Sequence, residues 1–379
     1  MNNKIYITCL HLKHGGVEMA ISLLSNALVK YGYSVEILCT YNFGTPAYKL
    51  DPEIKINYLT SILPNREAFL YALSKRNIIN IIKEGIHSIR VLYLKKARLK
   101  RAIRQIDCGT IISTRNEDSI LVSKYGHKQV TKIAQLHHDH KFNAKIIHDF
   151  QKKYTNIDYF VLLTDTLCQE ISEFMRPYNS KTQCITIPNF LPSVSSKSNH
   201  IPKKRQVIAV GRLHTDKAFH RLIEAWARVA SKHPDWILKI IGEGELDAPL
   251  KKQVEKLHLS QSIIFTGALS HDIVMSEMSA SSIYAMTSIS EAFPFVLLEA
   301  LQNSLPVIAF DVRVGPRALI EHNKTGFLIP DNDILAFSKA LCNLIENPKL
   351  LETMQHNAFF STSKFTEETI INKWLQILR

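Results

Sequence analysis

The stretch Ile283-Tyr-Ala-Met-Thr-Ser-Ile-Ser-Glu-Ala-Phe-Pro-Phe-Val-Leu-Leu-Glu-Ala-Leu301 decides the fold class of this chain. Its apolar start, Ile283–Met286, predicts a buried strand, and Pro294 suits the first turn of a helix that carries Glu299. Strand, loop and helix in this order form the repeating unit of open parallel α/β sheets, whose ligands bind where the strands end. Glu291 lies in the loop, so both carboxylates are predicted near a helix start at a ligand-binding edge.

The same rhythm of short apolar strands and longer helices runs through both halves of the chain. In the first half, strands are predicted at Lys4–Leu10, Val35–Thr40, Lys55–Leu59, Thr110–Thr114, Thr131–Leu136, Tyr159–Leu163 and Gln183–Ile187. In the second half, they are predicted at Val207–Val210, Ile237–Ile241, Ile263–Thr266, Ile283–Met286 and Pro306–Phe310. Helices of the second half are predicted at Phe219–Ala230, Leu246–Leu257, Pro294–Gln302, Ile334–Ile345 and Glu367–Leu378. The pattern predicts an α/β protein with two doubly wound, Rossmann-like domains and a ligand-binding cleft between them.

A change of composition marks the predicted boundary between the two domains. Pro188 and Pro192 are followed by the polar tract Ser193–His200, which is typical of an interdomain linker. A chain of 379 residues is also too long for one ordinary domain and suits two. We therefore predict one domain over residues 1–192 and a second over residues 193–364.

The composition is that of a globular protein without a metal-binding or disulfide pattern. Hydrophobic residues make up 46% of the chain and charged residues 21%. The six cysteines are scattered without a close pair, which suits a reducing compartment. The apolar run at the N-terminus is too short for a signal peptide, and no run approaches the ~18 apolar residues of a membrane span. We therefore predict a cytoplasmic protein.

The net charge of +13 is concentrated in one segment of the first half. Residues 65–105 contain eleven basic and two acidic side chains, which gives the segment a net charge of +9. Large apolar residues alternate with these cations, as in a basic amphipathic helix. Such a helix suits an anionic membrane surface or a polyanionic acceptor, and the alternative is a solvated helix face over an apolar core. No nucleic-acid-binding motif accompanies the segment, so a nucleic-acid partner is not expected.

Two further loops carry groups that suit an anion. Gly15-Gly16-Val17 follows the first predicted strand, and the backbone N–H groups of such a helix start suit a phosphate; the alternative is a plain tight turn. In the second half, Gly211 and Arg212 follow a predicted strand, and Lys217 lies five residues beyond Arg212. Two cations at this edge can neutralise a diphosphate leaving group without a metal, and the alternative is a pair of surface cations.

The glutamates at 291 and 299 are followed by Ala-Leu and Leu-Pro-Val-Ile and preceded by Gly-Arg-Leu and Lys217. This combination resembles family 4 of the retaining glycosyltransferases. The supporting strings are Gly15-Gly-Val-Glu, Ile187-Pro-Asn, Ile241-Gly-Glu-Gly-Glu, Val314-Gly-Pro-Arg and Asn323-Lys-Thr-Gly-Phe-Leu. They cover nearly the whole chain and look most like members that build bacterial surface polysaccharides or glycosylate teichoic acids. The resemblance implies the GT-B fold, in which an acceptor-binding N-terminal domain faces a donor-binding C-terminal domain and residues 365–379 pack back on the former.

The resemblance also implies roles for single residues. Arg212 and Lys217 would bind the donor diphosphate, Glu299 its ribose, and Glu291 the transferred sugar. The other donor contacts implied are Gly16, Val17, Gly211, Gly267, Leu269, Phe293, Pro294 and Phe295. A histidine at the end of an N-terminal-domain strand would lie close to the sugar, and several follow the strand that ends at Leu136. We assign this role to His137, with His138 as the alternative and His140 as an ordinary loop residue.

Two residues depart from the family pattern. Ala218, after the diphosphate-binding lysine, and Ala292, after the first glutamate, stand where the family usually has glycine. Each adds one methyl group where the family's backbone runs close to the donor. These departures bear on which donor is used more than on the class of reaction.

A metal ion and a cofactor are not expected. Asp331-Asn332-Asp333 resembles the Asp-x-Asp metal clamp of another glycosyltransferase architecture. Asp333, however, directly precedes a predicted helix, where an aspartate is an ordinary N-cap. The histidines show no metal-ligand spacing, so a nucleotide diphosphate sugar is the one co-substrate that we predict.

The resemblance implies a retaining, metal-independent enzyme of the hexosyltransferase type. It would move a hexose or N-acetylhexosamine from a nucleotide diphosphate sugar, by default UDP-linked, to a glycan, a lipid-linked oligosaccharide or a teichoic-acid-like acceptor. Alternatives of similar architecture are a sugar-nucleotide epimerase, a glycosyl phosphorylase and an inverting transferase, and a fourth is a non-catalytic carbohydrate- or lipid-binding protein. If the basic segment binds lipid, the protein is expected on the inner face of the cell membrane.

Overall fold

The computed structural model describes residues 3–192 and 202–378, so the predicted linker tract Ser193–His200 lies outside the described residues. The chain divides into two compact units. Unit 1 comprises Met1–Ile187 together with Ile371–Arg379, and unit 2 comprises Pro188–Ile370. The C-terminal stretch is thus grouped with the first half of the chain rather than with the second.

Unit 1 is built on a seven-stranded parallel sheet with the strand order β3-β2-β1-β4-β5-β6-β7. In the central strands β1 and β4, the isoleucines on both faces are buried, namely Ile5, Ile7, Ile111 and Ile112, and so are the polar Thr8, Thr110 and Ser113. Continuous apolar runs are expected where helices cover both faces of a parallel sheet. The strands are β1 (Lys4–Cys9), β2 (Ser34–Tyr41), β3 (Lys55–Thr60), β4 (Thr110–Ser113), β5 (Thr131–Leu136), β6 (Tyr159–Leu162) and β7 (Gln183–Thr186).

The helices of unit 1 connect these strands, and several begin at a capping side chain. Asn77 caps α3 by accepting a hydrogen bond from the backbone N–H of Asn80, at 3.1 Å. Asn143 and Thr164 cap α5 and α6 in the same way. The helices are α1 (Gly16–Lys30), α2 (Arg66–Ser74), α3 (Ile78–Arg104), α4 (Asn116–Tyr125), α5 (Ala144–Lys153) and α6 (Asp165–Met175).

Unit 2 contains a six-stranded parallel sheet with the order β10-β9-β8-β11-β12-β13. The five predicted strands are present, and β13 is an additional strand that the apolar pattern does not reveal. It begins at Gly326, where a Cβ atom would lie 1.9 Å from the carbonyl oxygen of Val307 in the neighbouring strand. The strands are β8 (Gln206–Val210), β9 (Ile237–Ile241), β10 (Ile263–Phe265), β11 (Ile283–Met286), β12 (Val307–Phe310) and β13 (Gly326–Ile329).

The helices of unit 2 bury their apolar faces against this sheet. In α7, the side chains of Leu222, Ile223, Trp226 and Val229 are fully buried, at the spacing of one helix face. Three helices were not predicted, namely α9, α11 and α13. The helices are α7 (Phe219–Ala230), α8 (Asp247–Lys256), α9 (His271–Ala280), α10 (Phe295–Gln302), α11 (Gly315–Leu319), α12 (Ile334–Glu346) and α13 (Pro348–Ser361).

The chain ends with a short 3₁₀ turn and one more helix. The turn spans Thr362–Phe365, and α14 spans Glu367–Ile377, passing from unit 2 into unit 1 at Ile371. Among the described residues, no helix combines the length and apolar character that a bilayer crossing requires. Two parallel sheets with interleaved helices confirm the predicted α/β class.

Candidate active site

The predicted donor-site residues of the second half lie along the carboxyl-terminal edge of the unit 2 sheet. Gly211 and Arg212 directly follow β8, and Glu291 follows β11 by five residues. These two strands are direct neighbours in the sheet, and the strand order reverses between them. Open α/β sheets bind ligands at such a switch point because the loops on either side diverge and leave a crevice.

Lys217 and Glu291 form an ion pair at this switch point. Nζ of Lys217 lies 2.5 Å from Oε1 of Glu291, and the two side chains are only 22% and 13% exposed. A charge-assisted hydrogen bond of this length, partly shielded from water, is stronger than a surface pair. The sequence predicted both residues but assigned one to the diphosphate and the other to the sugar. The structure brings the two groups into direct contact at one edge of the sheet.

The loop that carries Lys217 is held against the loop after β11. The hydroxyl of Thr287 donates to the carbonyl oxygens of Lys217 and Ala218, at 3.1 and 3.2 Å. The backbone N–H of Ile289 donates to the carbonyl oxygen of Asp216 at 2.9 Å. These contacts fix the Lys217 backbone relative to the strand that leads to Glu291, which pre-organises the ion pair.

Ala218 has a left-handed backbone conformation, with φ 47° and ψ 43°, and is the N-cap of α7. This conformation is costly for residues with a Cβ atom, at about 1–2 kcal/mol, and glycine adopts it freely. The left-handed turn therefore gives a conformational reason for the glycine that the family usually has here. The methyl group itself is fully buried.

Gly315 holds the backbone of Glu291 by close packing. Its N–H donates to the carbonyl oxygen of Glu291 at 3.0 Å. A Cβ atom at position 315 would lie 2.8 Å from both the Cβ atom and the carbonyl oxygen of Glu291. Only glycine fits there without displacing the loop. The local sequence does not reveal the contact between Gly315 and Glu291, because this contact depends on the adjacency of β11 and β12.

We expect Gly315→Ala to lower kcat/KM for sugar transfer by about 10–100-fold. The added Cβ atom would displace the Glu291 loop and so shift the carboxylate that is predicted to hold the sugar. Steady-state kinetics with donor and acceptor would measure it. Gly85→Ala is the control, since a Cβ there meets only a ring carbon of Phe69 at 3.7 Å. Equal kcat/KM in wild type and Gly315→Ala would contradict the positioning role.

Glu299 is held by a histidine that was not predicted as a site residue. Nε2 of His271, the first residue of α9, lies 2.9 Å from Oε1 of Glu299 in α10. The hydrogen bond to Glu299 raises the pKa of His271 above its ordinary value, although partial burial opposes the effect. The position of His271 two residues after Leu269, at the edge where β10 ends, is the signal that could have revealed it.

The glycines at the ends of β8, β9 and β10 bring three backbone segments close together. The N–H of Gly242 donates to the carbonyl oxygen of Gly267 at 2.9 Å, and a Cβ atom on Gly242 would lie 1.9 Å from the carbonyl oxygen of Gly211. The side chain of Arg212 is exposed beside this crossing, and Leu269 is half-buried. The predicted donor contacts Gly267 and Leu269 therefore lie on the same sheet edge as Arg212.

The aromatic residues at the start of α10 point into the protein core. Phe293, Pro294 and Phe295 are buried, and the ring of Phe293 packs edge-on against Phe365, with centroids 5.4 Å apart. Pro294 is the N-cap, so α10 begins at Phe295, one residue after the predicted start. What this segment can offer a ligand is the positive end of α10 and its free backbone amides rather than its side chains.

Four of the predicted site residues belong to unit 1. Gly16 is the first residue of α1, followed by the half-buried Val17, and His137 directly follows β5. Nε2 of His137 has almost no accessible surface and lacks a hydrogen-bond partner among the residues that the structure describes. Burial, with a smaller contribution from His138, lowers the pKa of His137 to about 3, so the imidazole is neutral at physiological pH. The imidazole is thus neutral, but its Nε2 is enclosed by protein, so the contact of His137 with a sugar stays a prediction.

The other two histidines of this loop differ in their environment. His138 is exposed. His140 is buried, and its Nε2 lies 3.1 Å from Oε2 of Glu170 while its Nδ1 accepts a hydrogen bond from the N–H of Phe142 at 3.0 Å. Both ring nitrogens of His140 are thus used in holding the loop, which agrees with its assignment as a structural residue.

The acidic motif that imitates a metal clamp serves structural contacts. Oδ1 of Asp333 accepts a hydrogen bond from the N–H of Ala336 at 2.8 Å and caps α12, as predicted. Oδ1 of Asp331 pairs with the guanidinium of Arg221 at 2.8 Å. Oδ1 of each carboxylate is therefore engaged in a contact within unit 2.

One cluster of metal-type ligands lies elsewhere in the described part of unit 2. The ligand atoms of His233, Cys342 and Glu346 lie within 4.8 Å of one another. His233 precedes β9, so this cluster is at the sheet edge opposite to the one that carries Glu291. It is not placed to assist chemistry at the ion pair.

The comparisons with known proteins agree with this geometry. Residues 193–359 match the family model of group 1 glycosyl transferases. The chain is 29% identical over 375 residues to an uncharacterized glycosyltransferase of Haemophilus influenzae, covering 96% of both chains. It is 28% identical over 369 residues to the amylovoran biosynthesis glycosyltransferase AmsD of Erwinia amylovora, again covering 96% of both. It also matches an exopolysaccharide phosphotransferase of Streptomyces coelicolor at 26% identity, but spans only 39% of that protein.

Among solved structures, the chain resembles TarM of Staphylococcus aureus in complex with fondaparinux, alpha-GlcNAc-glycerol and UDP. The TM-score is 0.79 at 16% identity, and the alignment covers 99% of both chains. A likeness at this identity establishes the fold, and the predicted GT-B fold is thereby confirmed. The more specific predictions of family 4 and of retention stay predictions.

Proposed function

We propose that this protein moves a hexose or N-acetylhexosamine from a UDP-sugar to a cell-surface glycan. The starting point is the match of residues 193–359 to the family model of group 1 glycosyl transferases. The acceptor is a growing polysaccharide, a lipid-linked oligosaccharide or a teichoic-acid-like polymer. Relatives named for amylovoran synthesis and for poly(ribitol-phosphate) glycosylation support this class of acceptor. UDP in a structural neighbour supports the choice of nucleotide.

The observation that carries the proposal is the Lys217–Glu291 pair at the switch point of the unit 2 sheet. A cation and a carboxylate held side by side match the two ends of the bond that must break. The phosphate end gains negative charge as the bond lengthens, and the sugar end presents hydroxyl groups. Lys217 can stabilise the negative charge on the phosphate, and Glu291 can accept hydrogen bonds from the sugar hydroxyls.

The proposed reaction proceeds by a charge-stabilised departure of the nucleotide. The bond between the anomeric carbon and the phosphate oxygen breaks, and the acceptor hydroxyl forms its bond to the same carbon from the same face, which retains the configuration. The proton of that hydroxyl passes to the leaving phosphate oxygen. Lys217, Arg212 and the free amides at the start of α10 stabilise the growing charge, and Glu291 accepts hydrogen bonds from the sugar.

The remaining donor contacts follow from the same edge of the sheet. Glu299, oriented by His271, is proposed to accept hydrogen bonds from the ribose hydroxyls. The role of His137, in unit 1, rests on the family resemblance alone. Lys217 and Arg212 can supply the positive charge that a divalent ion would otherwise supply to the leaving phosphate. We therefore propose that transfer proceeds without a divalent ion.

A thermal-shift screen tests the donor proposal. UDP-sugars at about 100 times their dissociation constant should stabilise the folded protein by about 2.7 kcal/mol, which raises Tm by several degrees. The panel should contain UDP-, GDP-, ADP- and dTDP-sugars and should be run with EDTA and with Mg²⁺. An equal shift under both conditions is expected. A protein that no nucleotide sugar stabilises would contradict the proposed donor site.

Product analysis separates the proposal from the enzymes of similar architecture. A transferase releases UDP in step with the glycosylated acceptor, whereas an epimerase releases none and a phosphorylase requires inorganic phosphate. The group 1 glycosyl transferase match does not favour either alternative. The anomeric configuration of the product, read by NMR, decides between retention and inversion.

A further inference from the structure

The long helix α3 exposes a row of large apolar side chains that we call the apolar stripe. It consists of Ile79, Ile82, Ile86, Ile89 and Tyr93, which alternate at spacings of three and four residues and therefore share one helix face. These side chains are between 58% and 79% exposed. The stripe extends over four turns, or about 21 Å. An apolar surface of this extent in a soluble domain marks an interaction site.

Side chains on the opposite face of α3 contact other residues of unit 1. These contacts fix the rotation of the helix and thereby keep the stripe exposed. The amide of Asn65 donates to the carboxylate of Glu84 at 2.6 Å, and the hydroxyl of Ser88 donates to Asn65 at 2.8 Å. Further along the same face, Val91 is buried and Lys95 pairs with Glu117 at 2.6 Å. A helix held in this way cannot turn the stripe inward without breaking these contacts.

The charge around the stripe is almost entirely positive. Of the two acidic residues in segment 65–105, Glu84 is bound to Asn65 on the anchored face. Lys83 and Arg90 lie along one flank of the stripe, Lys96 lies on the other flank, and Arg104 is at the end of α3. The neighbouring helix α2 adds the exposed apolar side chains Leu70, Tyr71 and Leu73, and the exposed cations Lys75 and Arg76 directly follow it.

We propose that this face binds an anionic phospholipid bilayer, with the apolar stripe among the acyl chains and the flanking cations at the headgroups. An amphipathic helix that lies in the interface needs an apolar face of this kind and basic residues beside it. A second copy of the chain fits less well, because two stripes packed together would bring Lys83 and Arg90 of both copies to one seam. The inference deepens the proposed function, since it places the enzyme where a lipid-linked acceptor is found.

Vesicle binding tests the inference on the full-length protein. It should co-sediment with vesicles of phosphatidylcholine and phosphatidylglycerol and bind pure phosphatidylcholine vesicles at least 10-fold more weakly. The combined variant Ile82→Ser, Ile86→Ser, Ile89→Ser should bind the anionic vesicles at least 10-fold more weakly than wild type. Lys83→Gln with Arg90→Gln should weaken binding about 10-fold at low salt. The control is Ile264→Ser with Leu335→Ser, which removes two exposed apolar side chains of unit 2 and should not change binding.

A tryptophan reporter distinguishes insertion from purely electrostatic contact. In Tyr93→Trp, the emission assigned to the new residue, obtained by subtracting the wild-type spectrum, should shift to shorter wavelength on anionic vesicles. Binding without this shift would overturn the insertion of the stripe, and equal binding to neutral and anionic vesicles would overturn the role of the cations. A third outcome is that neither wild type nor the triple serine variant binds vesicles, while light scattering shows an oligomer for wild type and a monomer for the variant. This outcome would overturn the membrane inference and assign the stripe to self-association.

The outcome does not depend on catalysis. If wild type binds anionic vesicles but no nucleotide sugar stabilises it, the membrane inference stands and the proposed donor site fails. If UDP-sugars stabilise the protein but vesicles do not bind, the donor site stands and the membrane inference fails. The triple serine variant should keep the wild-type response to UDP-sugars, which shows that it is folded.

Discussion

Glu291→Gln is expected to lower kcat/KM for sugar transfer by about 10³-fold, which corresponds to about 4 kcal/mol of lost transition-state stabilisation. The substitution keeps the shape of the side chain but removes its charge. The carbonyl oxygen that remains accepts weaker hydrogen bonds from the sugar, and Lys217 loses the partner 2.5 Å away that orients it. Both effects act on the reacting bond.

The release of UDP is measured with the UDP-sugar that gives the largest thermal shift. It is followed once with acceptor, which reports transfer, and once without acceptor, which reports slow hydrolysis. Glu277→Gln is the matched control, because Glu277 accepts from Lys239 at 2.7 Å in a pair of similar burial in the same unit. Both variants should lose a similar, small amount of stability, and only Glu291→Gln should lose activity. Normal turnover by Glu291→Gln would remove Glu291 from the proposed site.

Lys217→Met is expected to lower kcat about 10²–10³-fold while UDP binding weakens much less. The reason is that the positive charge matters most when the leaving phosphate gains negative charge in the transition state. Methionine retains an apolar stem of similar length, so packing is largely preserved. Lys239→Met is the matched control, since it removes a lysine of comparable exposure from the pair with Glu277.

The double variant Lys217→Met, Glu291→Gln separates stability from catalysis. Each single variant leaves one partly buried group without its partner, which lowers the free energy of unfolding, and the double variant removes both groups. Its Tm should therefore recover toward that of wild type, whereas its activity should stay as low as that of the single variants. Recovery of activity together with Tm would mean that the pair is structural and that the donor binds elsewhere.

The strands were predictable because their signal is local. β9 and β11 have the predicted bounds, Ile237–Ile241 and Ile283–Met286, since a run of β-branched and apolar residues reads as a buried strand wherever it is placed. β13 was not predicted, because it begins with Gly326 and its apolar run, Phe327–Ile329, has only three residues. Its strand character comes from pairing with β12, which the local sequence does not reveal.

The basic segment shows the limit of reading an amphipathic pattern. The alternation of cations and isoleucines predicted a helix, and α3 is that helix, 27 residues long. The pattern is the same whether the isoleucines cover a core or face solvent. In the structure the isoleucines face solvent, because Asn65 and Glu117 bind the opposite face of α3. Both residues lie outside α3 in the sequence.

The sequence by itself determined the alternation of strand and helix, the loop position of Glu291 and the cations after β8, since each depends on periodicity within a short stretch. Only the tertiary structure decided that Lys217 binds Glu291, that His271 holds Glu299 and that Gly315 packs on the Glu291 backbone. These partners are 24 to 74 residues apart in the chain, and they meet because the order β10-β9-β8-β11-β12 brings the loops that follow β8, β10, β11 and β12 to one edge of the sheet. Strand order is a property of the whole sheet, so no single stretch of sequence contains it.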